Sequence, residues 1–355
     1  MRAQKLYNHM QLYVKGQDLA LKQIATLVSL HLNCWKYNKT HDVALQGKEN
    51  AFIMGSTGTG KTETLRALGE CAKIKCPIIM LNSLQYTANG WRGSKNLNEL
   101  GEEIFRQAFL KSNVTELTRD TIDEIVDLAE SAIICLDEFD KRHIDRKTSP
   151  DYQVFETAYQ GDLLKIIEGT TLEVQIKEFP RVYIRTDNML FLLMGAFNGF
   201  NKQESARPVG FSNKIGTDEK GHTQEHHMGP NISDQAFINY GFMEELVGRV
   251  PWRICYEDLT DHVLVDILKK SKHSVIREYK QLFESMGNEL CVTDEGYTAI
   301  AKEAIHHKTG ARALFTVVKD VLASSLFDLL NDTGLIATID EDAVASRTVE
   351  IKSKT

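Results

Sequence analysis

The stretch Gly55-Ser56-Thr57-Gly58-Thr59-Gly60-Lys61-Thr62 leaves few folds open to the chain that carries it. It fits G-x-x-x-x-G-K-[ST] at every required position. The apolar run Ala51-Phe52-Ile53-Met54 precedes it, and Leu65, Ala67 and Leu68 follow among few helix breakers, so strand, glycine loop and helix are expected in that order. Such a loop is a phosphate cradle: its glycines let backbone N–H groups turn inward, and the helix N-terminus adds partial positive charge. Lys61 is expected at the β- and γ-phosphates and Thr62 at Mg²⁺.

A cradle of this kind needs a parallel sheet behind it, and the remaining apolar runs supply one. Pro77 to Asn82, Ser131 to Leu136, Met189 to Gly195 and Pro251 to Tyr256 read as buried strands separated by helical stretches. The third of the five runs ends in Asp137-Glu138. Two acids at the C-terminal end of a buried strand form a Walker B arrangement, in which Asp137 holds the Mg²⁺ shell and Glu138 acts as general base on the attacking water. Residues 1–37 open with helical periodicity, and 38–50 is polar and loop-like. From Thr260 onward the pattern turns helical over Val263 to Phe283, Asp294 to His306 and Ala311 to Leu330, with a strand possible after Leu335. The expected fold is α/β: a P-loop module with a parallel sheet flanked by helices over 1–256, then a smaller, mainly helical domain over 257–355.

Composition narrows the partners. With 42% hydrophobic and 26% charged residues the chain is expected to be globular, and a net charge of −7 with no long apolar run argues against nucleic-acid and membrane binding. Residues 1–30 hold no unbroken apolar core and no later run nears membrane length, so a cytoplasmic location is expected. The six cysteines form no C-x-x-C pair, so reduced, mostly buried thiols are expected. The polar insert from Asn201 to Asp234 carries four glycines and reads as a mobile loop. Its His222, His226 and His227 are expected to be solvated, not metal-bound.

Taken together, these motifs resemble those of the ClpX family of AAA+ unfoldases. Gly16-Gln17-Asp18 with Ala20 and His31 is similar to the family's adenine-side opening segment, and Leu136 to Lys141 to its extended Walker B. Gly161 to Thr170 and Gly195-Ala196-Phe197 match the following helix and fourth strand. Phe242 to Arg249 matches the arginine-finger segment, and Lys308-Thr309-Gly310-Ala311-Arg312 the sensor 2 box. The resemblance implies ATP and Mg²⁺ as cofactors, with Val14, Gly55 to Glu63 and Arg312 at the nucleotide. It further implies Lys61, Glu138 and Arg249 in catalysis, with Arg249 reaching a neighbouring subunit's nucleotide, and hence a homohexameric ring. Trp91 between Gly90 and Arg92-Gly93 stands where the family carries its polypeptide-gripping pore loop. Val209-Gly210-Phe211 stands where it carries the tripeptide that docks a ClpP-like peptidase.

Departures qualify the match. No cysteine cluster precedes the AAA+ region, so the family's zinc-binding N-terminal domain is expected to be missing. Thr171 to Asp187 lacks the Arg-Lys-His tract of the pore entrance, and Asn198 is the one polar candidate for sensor 1. The function implied is an ATP-driven, ring-forming protein unfoldase and translocase that hands substrates to a ClpP-like peptidase. The alternative is a peptidase-independent AAA+ remodeller or motor acting on a protein or nucleic-acid complex.

Overall fold

The computed structural model describes residues 2–41, 45, 49–88, 95–176, 181–200 and 232–353. These form two compact units. One gathers Gln23–Gly55 and Gly69–Cys255; the other gathers Gln4–Lys22, Ser56–Leu68 and the chain from Tyr256 onward.

The first unit is built on a fully parallel sheet of five strands: β1 (Ala51–Met54), β2 (Ile78–Asn82), β3 (Ile133–Asp137), β4 (Leu190–Gly195) and β5 (Trp252–Cys255). Their order across the sheet is β2-β3-β4-β1-β5. All five are the runs expected from the sequence. Strands β1 and β4 are buried along their whole length, as parallel strands covered on both faces must be, which explains why they read as unbroken apolar runs. Ala51 pairs with Leu192 on one side and Trp252 on the other, while Asn82 pairs with Asp137.

Local signals start and stop the flanking helices. Thr118 caps Arg119–Ala129 by accepting the Thr121 N–H, and Ser149 caps Pro150–Glu168, with Pro150 at the first position, where its missing donor costs nothing. One end of the core is aromatic: Phe52 stacks on Phe237 at 4.4 Å and Phe139 on Phe242 at 5.3 Å. Arg253 lies over the Phe52 and Phe237 rings, paired to Asp234 at 2.9 Å. Arg142 is buried with Glu156 at 3.1 Å and also donates to the Ser83 carbonyl. Burial pushes the Glu156 carboxyl up despite that partner. A hairpin of Thr171–Val174 and Val182–Arg185, not expected from the sequence, follows the Pro150–Glu168 helix.

In the second unit, helices Asp261–Lys270, Val275–Ser285, Asp294–His306 and Arg312–Ala323 surround a core that includes Leu264, Phe283, Ile300, Val318 and Leu322. The helical stretch expected from Val263 to Phe283 is two helices, parted at Ser271 to Ser274. There the Lys272 N–H donates to the Leu12 carbonyl at 2.8 Å in place of a helical acceptor, and the Ser271 hydroxyl donates to the Tyr13 carbonyl at 2.6 Å. The stretch Ala311 to Leu330 is likewise two helices, Arg312–Ala323 and Leu326–Asn331. A three-stranded sheet joins Glu289–Val292, Leu335–Ile339 and Glu350–Ser353, extending the one late strand read from the sequence.

Among the described residues no helix is long and apolar enough to cross a membrane. The six cysteines are free: Cys71, Cys76 and Cys135 are buried and the other three partly so, and burial pushes the Cys76 thiol up to about 12.

Candidate functional site

The loop leaving β1 has the backbone its sequence requires, with Gly55 at φ 148°, Gly58 at 80° and Gly60 at 103°, values that residues with a Cβ rarely adopt. Within the second unit the Lys61 ammonium and the Thr59 hydroxyl both donate to the Ser56 carbonyl at 2.8 Å. Thr64 closes the first helical turn onto the Gly60 carbonyl, and its hydroxyl meets that of Tyr256 at 2.6 Å. A Cβ on Gly60 would come within 3.1 Å of Val14, which places Val14 against the loop. Gly16 is equally confined, because a Cβ there would stand 2.6 Å from Val263. Gln17 brackets the backbone of Glu257, donating to its carbonyl at 2.7 Å and accepting its N–H at 2.9 Å.

The sensor-2-like segment meets the same loop. The Ala311 N–H donates to the Gly58 carbonyl at 3.0 Å, and Arg312 is the exposed first residue of its helix. Glu63, one residue past Thr62, accepts from His273 Nδ1 at 2.6 Å. A lysine ammonium, a threonine hydroxyl at a helix N-terminus and positive-φ glycines are the donor set for a nucleotide polyphosphate with Mg²⁺, and the loop therefore fits both.

In the first unit Asp137 ends β3 and Glu138 follows in a left-handed conformation at φ 57°. Asp137 accepts the Glu138 N–H at 2.8 Å. The Glu138 carboxylate is held by Lys141 at 3.1 Å and by the Asn82 amide at 3.4 Å. Because β1 and β3 are parallel with β4 between them, Gly55 and the two acids emerge at the same, C-terminal edge of the sheet. Gly195 at the end of β4 approaches Asp140 so closely that a Cβ would stand 2.4 Å from its carboxylate. That carboxylate accepts the Phe197 N–H at 3.3 Å. Asn198 is exposed, and its carbonyl accepts from the Tyr240 hydroxyl at 3.5 Å.

Arg249 occupies the opposite edge. It precedes β5, whose Trp252 pairs with Ala51 at the start of β1, and its Nε donates to Glu168 at 2.8 Å. It borders a cleft of about 730 Å³ that Asn50 and Glu168 also line. Trp91, Arg92, Val209, Gly210, Phe211 and the loop histidines lie outside the described residues. Among the described residues no group of three or more His, Cys, Asp or Glu is arranged to hold a metal ion.

Sequence reasoning passed over Asn82, Asn50 and Glu168. Asn82 carried the only available signal, as the polar last residue of the strand beside β3. The other two act through contacts across 81 or more positions of chain, which no local pattern marks.

Comparison with known proteins agrees with this geometry. Residues 47–253 match the model of the AAA domain (Cdc48 subfamily), and residues 259–341 match the C-terminal, D2-small domain of ClpB protein. The chain is 29% identical over 340 residues to the ATP-dependent Clp protease ATP-binding subunit ClpX of Treponema denticola, an alignment covering 92% of this chain and 76% of that protein. Its similarity to ClpX of Bacteroides fragilis has the same identity and coverage. These relatives bear out the resemblance read from the motifs. With the AAA model covering more than half of its length and Gly55 and Asp137-Glu138 at one edge of the sheet, the chain belongs to the AAA domain (Cdc48 subfamily) family.

Proposed function

We propose that this protein is a ring-forming, ATP-driven unfoldase that threads polypeptide through its pore and passes it to a ClpP-like peptidase. The observation that carries this reading is the bond from Ala311 to Gly58, because it ties the loop that senses phosphate to the first turn of the Arg312 helix. A nucleotide-dependent shift of the loop then has a mechanical route into the C-terminal helices. In this reading the AAA+ large domain is 1–256 and the small domain 257–355.

When bound, ATP with Mg²⁺ supplies the phosphoanhydride and the counter-charge. Gly55 to Glu63, Val14 and Arg312 would hold the nucleotide, and Thr62 and Asp137 would supply the metal's protein ligands. Lys61 is placed to exchange its Ser56 carbonyl for phosphate oxygens. Glu138 takes a proton from water as general base, and its Asn82 and Lys141 contacts fix where the carboxylate sits.

Arg249 serves the site of a neighbouring subunit. Strand β5 runs from its edge toward the phosphate edge, and the three steps from Trp252 to Cys255 alone cover about 10 Å. Arg249 stands at the N-terminal edge of the sheet, away from the edge where Gly55 leads out of β1, which supports a role at another copy's site and hence a ring; the family resemblance supports a homohexamer. Trp91 and Arg92 form the gripping loop and Val209-Gly210-Phe211 the peptidase contact. A cytoplasmic location accompanies this role.

The test is ATP-dependent loss of fluorescence from a tagged globular protein, measured beside ATPase activity with and without DNA. Unfolding with no DNA stimulation is expected. DNA-stimulated hydrolysis without unfolding would replace this reading with a nucleic-acid motor.

A further inference from the structure

Arg249 is held at three points. Its N–H donates to the Leu246 carbonyl at 3.1 Å, ending the short Glu244–Gly248 helix. Its carbonyl accepts from the Asn50 side-chain amide at 2.9 Å, and its Nε donates to Glu168 at 2.8 Å. Its two Nη nitrogens make no hydrogen bond among the described residues, so the bidentate face of the guanidinium is left for an incoming anion.

The two side chains that do the holding are themselves fixed. Asn50 is 1% exposed and uses both ends of its amide: Nδ2 on Arg249, and Oδ1 accepting the Phe191 N–H at 3.0 Å. Its own carbonyl accepts the Trp252 N–H at 3.2 Å, so one residue pins the starts of β1, β4 and β5 together. A buried amide with both ends satisfied in this way allows one orientation. Glu168 is the last residue of the Pro150–Glu168 helix, and Gly169 stops that helix at φ 126° with its N–H on the Lys165 carbonyl at 3.1 Å. A Cβ on Gly169 would stand 2.5 Å from the Asp187 carboxylate, so the helix end cannot drift freely.

We infer that Asn50 and Glu168 are positioning residues for Arg249, fixing its backbone and its Nε so that the Nη face is pre-set for the phosphate of a neighbouring subunit's nucleotide. Preorganisation of this kind matters because a charge that must first find its place contributes less to the transition state than one already aimed. The inference rests on Arg249 acting in trans, as proposed above. Neither residue touches nucleotide, and both act through Arg249.

The experiment uses full-length rings and subunit mixing. Glu168→Ala should lower kcat for ATP about tenfold while KM and fluorescent-nucleotide affinity stay within about twofold. Glu168→Gln keeps an oxygen acceptor for Nε and should recover most of that loss. Lys61→Ala subunits lack a working site yet carry an intact Arg249, so mixing them with Arg249→Ala subunits should restore hydrolysis at mixed interfaces. Mixing them with Glu168→Ala should do the same, and the Arg249→Ala/Glu168→Ala double variant should be no slower than Arg249→Ala alone. Asn50→Asp, which loses the donor to the Arg249 carbonyl, should follow Glu168→Ala; because it is buried, the exposed Glu168 variants carry the decision if it does not fold. Absence of restoration for Arg249→Ala overturns the trans reading itself. Restoration for Arg249→Ala combined with wild-type kcat in Glu168→Ala, or with a defect that Lys61→Ala subunits do not restore, overturns the positioning role alone.

Discussion

The N–H of Ala311 donates to the carbonyl of Gly58 at 3.0 Å, and the two segments approach so closely there that neither Gly58 nor Gly310 has room for a side chain. A Cβ on Gly58 would stand 2.2 Å from the Thr309 carbonyl oxygen, and one on Gly310 2.8 Å from that of Thr57. Both glycines have positive φ, at 80° and 59°. Gly58→Ala should therefore destabilise the protein by at least about 1–2 kcal/mol from backbone strain alone, and weaken nucleotide binding as the loop shifts. Gly69→Ala, where nothing lies within 4 Å, is the control and should leave both properties intact. Thermal melts and nucleotide titrations of the two variants check this; equal behaviour would remove the steric argument.

Lys61 and Glu138 should fail in different ways. Lys61→Ala is expected to lose nucleotide binding, because in the proposed reading its ammonium meets phosphate in the ground state. Glu138→Gln should bind ATP and assemble but hydrolyse it at least about 100-fold more slowly, the usual scale for loss of a general base. A steady-state ATPase assay beside equilibrium binding separates the two defects. Near-normal turnover in Glu138→Gln would show that another group takes the proton.

Asp140 gives the protein a pH dependence that can be read directly. Burial raises its carboxyl above the usual carboxylate range, against the opposing effects of the Phe197 N–H and Lys141. A group with its folded pKa raised contributes stability that is complete below the unfolded pKa and is lost as pH rises through the folded value. Asp140→Asn keeps an oxygen for the Phe197 N–H without the charge, so its stability relative to wild type should increase from about pH 4 toward pH 7. Urea midpoints across that range test the sign, and a difference that does not change with pH would exclude it.

Arg142 and Glu156 form an ion pair whose side chains are 3% and 1% exposed. Removing one partner strands the other charge in the interior, so Glu156→Ala should cost about 3–5 kcal/mol. The apolar pair Arg142→Met with Glu156→Leu should cost less than the sum of the single changes. Denaturant unfolding of the set gives the coupling, and strict additivity would mean the two charges act independently.

Trp91 and Phe211 divide the proposed work between gripping and docking. Trp91→Ala should retain ATP hydrolysis and lose unfolding, since in the proposed reading the Trp91 ring, between Gly90 and Gly93 in the sequence, grips the polypeptide. Phe211→Ala should retain both and lose only degradation by added ClpP-like peptidase. If the wild-type protein does not co-sediment with such a peptidase in ATP, the peptidase-independent remodeller becomes the better account.

The division between what was legible and what was not follows the range of the interactions concerned. Ala51 to Met54 and Leu190 to Gly195 are apolar at every position because parallel strands are buried on both faces, and the glycine loop has one workable backbone; these are local demands that a linear sequence states outright. The Asp137-Glu138 pair was readable for the same reason. Tertiary structure alone decided the break at Ser271 to Ser274, where the Lys272 N–H turns to the Leu12 carbonyl, and the strand at Glu289–Val292, which pairs with Leu335–Ile339. It also decided which edge of the sheet Arg249 occupies and that Asn50 and Glu168 hold it there. Those partners stand 199 and 81 positions away in the chain, and only folding brings their donors and acceptors within bonding distance.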